Sequence, residues 1–406
     1  MLLGSLALTA GCVALTFSPG LLLTHHTSAG LVALVHVFTL GFVGLVFAGT
    51  LQQLPAVMFV TRLAWPGLGY LTSPLLLVGS ALVIAGFAAG FAPLPLAAGG
   101  LTVTLGWVLL LAQLLATALR RWPRDAASQA LLLSVVFLTL TVAAGFLLAG
   151  ARASPAVAGA VGYPVRLHLI TGLFGGFLLG IIGSGQKLLA MFALSKGTVQ
   201  WRVRLASLLI AAGIIVELLQ AFSPVQPGQL PITLLAAGAA VQLWELSAIC
   251  RRRLRRKLEA PVFRYVLAHA FLPVALVLLL WGQPLAAAAA FLVGFIGLAV
   301  SGMLVKITSF LVWTAVFAGS KTGGVVGGAP LLRDLLVAGL EPVTTWALFT
   351  GALALCATLV SGWTPLAHLS ANLLLLGSLS QTLQVGNVIT VTVRAGWRLR
   401  QAAEAT

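Results

Sequence analysis

Long apolar stretches alternate with short polar or basic segments along the whole chain. We distinguish twelve apolar stretches, and they begin near residues 2, 29, 71, 99, 128, 166, 203, 230, 265, 284, 343 and 366. A helix needs roughly 20 apolar residues to cross the hydrocarbon core of a bilayer, and most of these stretches approach that length. The pattern therefore predicts an all-α integral membrane protein with about twelve transmembrane helices.

The composition and the charge distribution agree with this prediction. Hydrophobic residues make up 60% of the chain and charged residues only 7%, which excludes a soluble fold. If the N-terminus is cytoplasmic, all lysines and arginines except Arg152 and Arg166 fall on the cytoplasmic side, as the positive-inside rule requires. The chain is therefore predicted to lie in the inner (cytoplasmic) membrane with both termini in the cytoplasm.

A basic run at residues 251–257 is the densest concentration of charge in the sequence. These seven residues include no aromatic residue, and they begin a predicted cytoplasmic loop that extends to Arg264. A run of this kind between two membrane helices is typical of an anchor on anionic lipid headgroups. The lipid bilayer is therefore an expected partner, and a nucleic acid is not.

Two histidines open similar stretches of sequence, one in the second predicted helix and one in the sixth. Thr39 follows His36 by three residues and Thr171 follows His168 by three, so each threonine shares a helical face with its histidine. A run of small residues comes next in both stretches. Because the histidines are 132 residues and four predicted helices apart, the sequence predicts a four-helix repeat.

A third copy of this stretch lies in the tenth predicted helix. Gln52 and Gln186 stand near the far ends of the first two copies, and Lys306 stands in roughly the same place in the third. The histidine position of the third copy falls among residues 286–290, which are all alanine. We therefore predict one transmembrane domain, residues 1–406, built from three four-helix arcs. The arcs cover approximately residues 1–126, 127–260 and 261–406.

Three consecutive four-helix arcs, with histidines near the outer ends of helices two and six, resemble subunit I of the haem–copper oxidase superfamily. The chain resembles more closely the stand-alone bacterial membrane proteins that are related to this subunit in C-type oxidases and nitric oxide reductases. The residues that carry the resemblance are His36, Leu40-Gly41, Gly49, Gln52-Gln53-Leu54-Pro55, the segment Lys306-Ile-Thr-Ser-Phe-Leu-Val-Trp313, and Pro330-Leu-Leu-Arg-Asp334.

The resemblance implies a haem-ligand role for His36 and a copper-ligand role for His168. The superfamily also uses a His-His pair on helix seven and histidine on helix ten, but neither the stretch 203–222 nor the tenth helix contains a histidine. We therefore expect no reduction of oxygen or nitric oxide. The leading hypothesis is a non-catalytic haem- or copper-binding accessory protein in respiratory or nitrogen-oxide metabolism, with other respiratory membrane subunits as partners.

The candidate metal site is built from the few polar residues on the outer side. His36 and His168 are predicted to share it, with His368 as a third ligand and Glu217 nearby, because imidazole suits copper and haem iron. The alanines at 286–290 leave copper, or haem with a single protein ligand, as the expected forms. Each histidine taken alone is also typical of a hydrogen-bonded packing residue.

Polar residues within the helices indicate an alternative function of another class. Gln52, Gln186 and Lys306 are predicted to line entrances to channels enclosed by the arcs. Glu217 is the buried carboxylate expected on a proton or ion path, because such groups are costly in lipid. A transporter for a proton, a metal or a small molecule is therefore the alternative hypothesis, and a structural subunit without a cofactor is the third.

Overall fold

Helices account for nearly all of the architecture. The computed structural model describes residues 1–161, 165–221, 228–317 and 330–404, and no strand occurs in these ranges. Eleven of the described helices are long and apolar enough to cross a membrane, and a shorter apolar helix precedes them. These twelve helices, α1 to α12, are Leu2–Phe17, Ala29–Leu51, Pro66–Ala88, Pro93–Arg120, Ala126–Arg152, Val165–Phe192, Gln200–Gln220, Leu230–Arg251, Ala260–Leu280, Pro284–Phe317, Leu340–Ser361 and Thr364–Arg398. The predicted all-α membrane fold is confirmed.

The helices form two compact units. The central unit, His25–Leu258, contains α2 to α8. The terminal unit joins Met1–Thr24 to Glu259–Thr406, so it contains α1 and α9 to α12. Within the central unit α3 packs along α4 and α7 along α8, and within the terminal unit α12 packs against α1, α10 and α11. The division into three arcs stays a prediction, because only its boundary near residue 260 coincides with a division between units.

Three helices widen into a π-helical turn over eight residues each. Among the described residues these segments are Val37–Gly44 in α2, Thr171–Leu178 in α6 and Ala290–Gly297 in α10. π-helical geometry is rare and usually limited to a single-turn bulge, so three runs of equal length are unusual. They lie in the three helices that carry the repeated sequence. The repeat in sequence therefore coincides with a repeat in backbone geometry.

Aligning the three copies on their π-helical segments gives a different register from aligning them on the histidines. Aligned on the segments, Lys306 corresponds to Lys187 rather than to Gln186. His36 stands one residue before its segment, whereas His168 stands three residues before its own. The segments of α2 and α6 therefore begin 134 residues apart, although the histidines are 132 apart. The two histidines occupy different positions of the repeat.

Glycines set the same close approach between α5 and α6 as between α9 and α10. A Cβ atom at Gly183 in α6 would lie 2.6 Å from the amide nitrogen of Leu131 in α5. A Cβ atom at Gly302 in α10 would lie 2.9 Å from the amide nitrogen of Tyr265 in α9. Small residues permit such backbone contact between membrane helices. In the register of the π-helical segments Gly183 and Gly302 are equivalent positions.

An ion pair between a lysine and an acidic residue lies at the same end of both helix pairs. Lys187 Nζ lies 3.7 Å from Asp125 Oδ2, and Lys306 forms an ion pair with Glu259. Asp125 directly precedes the first residue of α5, and Glu259 directly precedes the first residue of α9. The pair α5–α6 is therefore the structural counterpart of the pair α9–α10, in charge as well as in packing.

Candidate metal site

His36 and His168 lie side by side in the central unit. Their ring centroids are 6.3 Å apart, and the ring planes differ by 15°. His36 is the last α-helical residue of α2 before its π-helical segment, and His168 lies in the short α-helical start of α6. The Phe87 ring of α3 lies 4.5 Å from the His36 ring. The packing of α2, α3 and α6 thus brings together two imidazoles that are distant in sequence.

Hydrogen bonds to backbone carbonyls fix the orientation of both imidazoles. His36 Nδ1 lies 2.8 Å from the Val32 carbonyl oxygen, and His168 Nδ1 lies 2.9 Å from the Thr141 carbonyl oxygen. A carbonyl oxygen can only accept, so each Nδ1 carries a hydrogen and each neutral ring keeps its lone pair on Nε2. Histidines that bind metals through Nε2 are commonly oriented in this way.

Residues of α5 and α6 that surround His168 also help to position its ring. A Cβ atom at Gly145 in α5 would lie 3.1 Å from His168 Cε1, so glycine leaves the space that the ring occupies. The Thr141 hydroxyl, on the residue whose carbonyl accepts from His168, donates to the Thr171 hydroxyl at 2.9 Å. Thr171 in turn donates to the Leu167 carbonyl oxygen at 2.6 Å. Helices α5 and α6 therefore hold this imidazole from two sides.

The centroid distance of the two rings matches the distance expected for two ligands on one metal. Two imidazoles that bind one ion from opposite sides have centroids roughly 6.4 Å apart, because each metal–nitrogen bond is about 2.0–2.1 Å and the ring nitrogen lies about 1.1 Å from the centroid. No group of three or more His, Cys, Asp or Glu placed for a metal occurs among the described residues. Zinc prefers four ligands. Monovalent copper, which accepts two ligands in a line, and haem iron, whose porphyrin supplies four, fit this donor set better.

Glu217 and His368, the other residues predicted for this site, have different surroundings. Glu217 in α7 forms an ion pair with Arg166, which lies two residues before His168 in α6. The Glu217 side chain is only 15% exposed, so the Arg166 guanidinium is the main group that balances its negative charge. His368 is exposed on α12 in the terminal unit. Its role as a third ligand stays a prediction.

The residues predicted to line channel entrances are each held by a local contact. Gln52 Nε2 donates to Thr72 Oγ1 at 3.1 Å, and Gln186 Nε2 donates to Gln242 Oε1 at 2.5 Å. Lys306 is held in the ion pair with the acid that precedes α9. These contacts join neighbouring helices, which is an ordinary role for polar side chains in membrane proteins. A channel at these positions stays a prediction.

A buried arginine is the main feature that the sequence interpretation misplaces. The sequence predicts Arg264 in an exposed cytoplasmic loop, but its side chain is fully buried in the terminal unit and donates to Glu341 Oε2 at 2.5 Å. The error comes from the start of the ninth helix, which the apolar pattern puts near residue 265 and which lies at Ala260. Pro261 in the first turn is the signal for the earlier start, because proline is favoured there.

Comparison with known proteins assigns no role to the histidine pair. No protein-family model matches the chain, and no curated protein has a significantly similar sequence.

Proposed function

We propose that this protein is a membrane-embedded metal-binding protein in which His36 and His168 hold a copper ion or a haem iron. The observation that carries the proposal is the geometry of the pair, with centroids 6.3 Å apart and both Nδ1 atoms committed to backbone carbonyls. Packed aromatic rings also have centroids about 4.5–7 Å apart, and His269 is likewise bonded through Nδ1 to a backbone carbonyl. The proposal therefore rests on the combination of both features in one pair of imidazoles. Copper or haem iron would supply one-electron redox chemistry, while the chain supplies ligands and their orientation.

We further propose that the fold is related to subunit I of the haem–copper oxidase superfamily and that the protein has an accessory role in respiratory or nitrogen-oxide metabolism. The support is the resemblance in sequence together with the π-helical segments in α2, α6 and α10. These are the second, sixth and tenth helices, three of the helices to which the resemblance assigns ligands. Because α7 and α10 contain no histidine, the proposed role is non-catalytic.

The direct test is the cofactor content of the purified wild-type protein after expression with copper and haem supplied. We expect copper or haem in a near one-to-one ratio to the chain, measured by total copper, iron and zinc analysis and by the visible absorption spectrum. We expect no sustained reduction of oxygen or nitric oxide with artificial electron donors, because two imidazoles do not complete a binuclear centre. A metal-free protein under these conditions would refute the proposal.

A transporter is the second candidate, and the buried charges of the terminal unit favour it. Arg264 and Glu341 are both at most 3% exposed within helices that cross the membrane, and ionisable residues at such positions commonly mark transport paths. Uptake of a metal or a proton into proteoliposomes by a protein that retains no bound metal would favour this candidate over the first.

The chain is a multi-pass membrane protein, and we propose that both of its termini are cytoplasmic in an inner membrane. The support is the distribution of lysine and arginine, since 21 of the 23 fall on one side in the twelve-helix arrangement. A reporter fused after residue 26 is therefore expected to report an external position, and one fused after residue 257 a cytoplasmic one. An external signal after residue 257 would invert the orientation and move the histidine pair to the inner leaflet.

A further inference from the structure

Four helices of the terminal unit contribute to one buried polar cluster. Arg264 in α9 donates from Nε to Thr345 Oγ1 at 3.0 Å, from Nη1 to Ser301 Oγ at 2.9 Å and from Nη2 to Glu341 Oε2 at 2.5 Å. The Ser301 hydroxyl of α10 donates onward to the side-chain oxygen of Gln381 in α12. Each of these five residues is at most 3% exposed. The cluster therefore holds an ion pair away from bulk solvent.

Three polar atoms in and beside this cluster have no hydrogen-bond partner among the described protein groups. They are the second carboxylate oxygen of Glu341, Oε1, and the amide nitrogens Nε2 of Gln381 and Gln384. Gln384 is itself fully buried, and its Oε1 accepts from the Val337 backbone amide at 3.2 Å. Rotating this amide would place its NH2 group against another donor. The unmet hydrogen bond at Gln384 therefore does not come from the choice of amide orientation. Rotating the Gln381 amide would only exchange an unmet NH2 group for an unmet oxygen at the same place.

These atoms lie at one end of the same helix pair. Gln381 and Gln384 are three residues apart on α12, so they share a helical face. Val337, which binds Gln384, lies three residues before Leu340, the first residue of α11, and Glu341 is the second. One carboxylate oxygen and two amide nitrogens near the start of α11 thus have unused hydrogen-bonding capacity.

We propose that this end of the terminal unit is an internal hydration site, in which bound water links Glu341 Oε1 to the Nε2 atoms of Gln381 and Gln384. Water both donates and accepts, so it satisfies a carboxylate oxygen and amide hydrogens together, and buried water typically bridges such groups. A cation at this place would be repelled by Arg264, and an anion by Glu341. An uncharged ligand is therefore the class that the site accepts.

A partly exposed ion pair lies near the cluster along α9. Glu259, whose side chain is 25% exposed, directly precedes α9 and is paired with Lys306. Arg264 follows Glu259 by five residues, which is about 7.5 Å along a helix. Arg264 is therefore less than two helical turns from this ion pair.

The test is water-to-amide magnetisation transfer in proton-detected solid-state NMR of the full-length protein in liposomes, with glutamine and isoleucine labelled by ¹⁵N. We expect transfer from water to the side-chain amides of Gln381 and Gln384. The control is the backbone amide of Ile210, because Ile210 is fully buried in the middle of α7 and its amide is hydrogen-bonded within the helix. Its signal is identified by its loss in Ile210→Val, and we expect no transfer at this amide.

The signals are assigned by their loss in Gln381→Met and Gln384→Met, each prepared separately. If one of these variants fails to fold, Gln381→Asn or Gln384→Asn keeps a side-chain amide at the site and still identifies the signal, because asparagine is unlabelled and the glutamine signal is lost. Transfer to both side-chain amides but not to the Ile210 backbone amide supports the hydration site. Absence of transfer to both side-chain amides overturns it, and equal transfer to Ile210 overturns it as well, because water would then penetrate the protein generally.

Discussion

We expect His36→Ala and His168→Ala each to lower the copper or haem iron bound by the purified protein about tenfold or more at matched metal supply. The reason is the small size of the donor set, since no third His, Cys, Asp or Glu is grouped for a metal with this pair within the described ranges. Loss of one imidazole leaves a single protein ligand, which does not retain copper against competition during purification. Metal analysis and the visible spectrum measure the change.

The controls separate loss of the metal from loss of the fold. His25→Ala changes an exposed loop histidine that is hydrogen-bonded to Thr27, so its metal content should equal that of the wild type. The double variant His36→Ala/His168→Ala should bind little less than either single variant, because ligands of one ion act as a unit. Full metal content in both single variants would contradict the proposed site.

Glu341→Leu lowers the free energy of unfolding by about 3–5 kcal/mol, because it leaves the guanidinium of Arg264 buried without its counter-charge. Arg264 is 0% exposed, and the water proposed beside Glu341 carries no charge, so neither bulk solvent nor this water supplies the lost counter-charge. Thermal and chemical unfolding in one detergent measure the effect.

The matched double variant tests whether charge is the cause. Arg264→Met/Glu341→Leu removes both charges and should recover much of the stability, since buried ion pairs are often replaceable by apolar residues of similar size. Asp334→Asn, in the exposed pair of Arg333 and Asp334, serves as the surface control and should change stability little. If Glu341→Leu is as stable as the wild type, the ion pair does not support the terminal unit.

The sequence predicts the membrane helices well because their signal is local. Each span requires an uninterrupted apolar run, and the run is visible without knowledge of any neighbour. The same method misplaces Arg264, because a charged residue near the end of a run is counted with the loop. Its partner Glu341 is 77 residues away along the chain, so nothing local shows that the charge is neutralised inside the protein.

The histidine pair is only partly predictable for a similar reason. The similar sequences after His36 and His168 indicate a shared depth, but the contact of the rings depends on how α2 packs against α6. The acceptor for His168 is the carbonyl of Thr141, 27 residues earlier, and a backbone acceptor has no signature in residue type. The π-helical segments are equally hidden, because the glycines and phenylalanines within them also occur in ordinary membrane helices.

Helices α2 and α6 each have a π-helical segment with a histidine just before it, whereas α10 has the segment without the histidine. In α10 the positions that correspond to His36 and His168 are Ala289 and Ala287, yet the widened turn persists at Ala290–Gly297. The widened turn of α10 therefore does not depend on a histidine at these positions. The helix shape and the proposed ligands are separable features of the three copies.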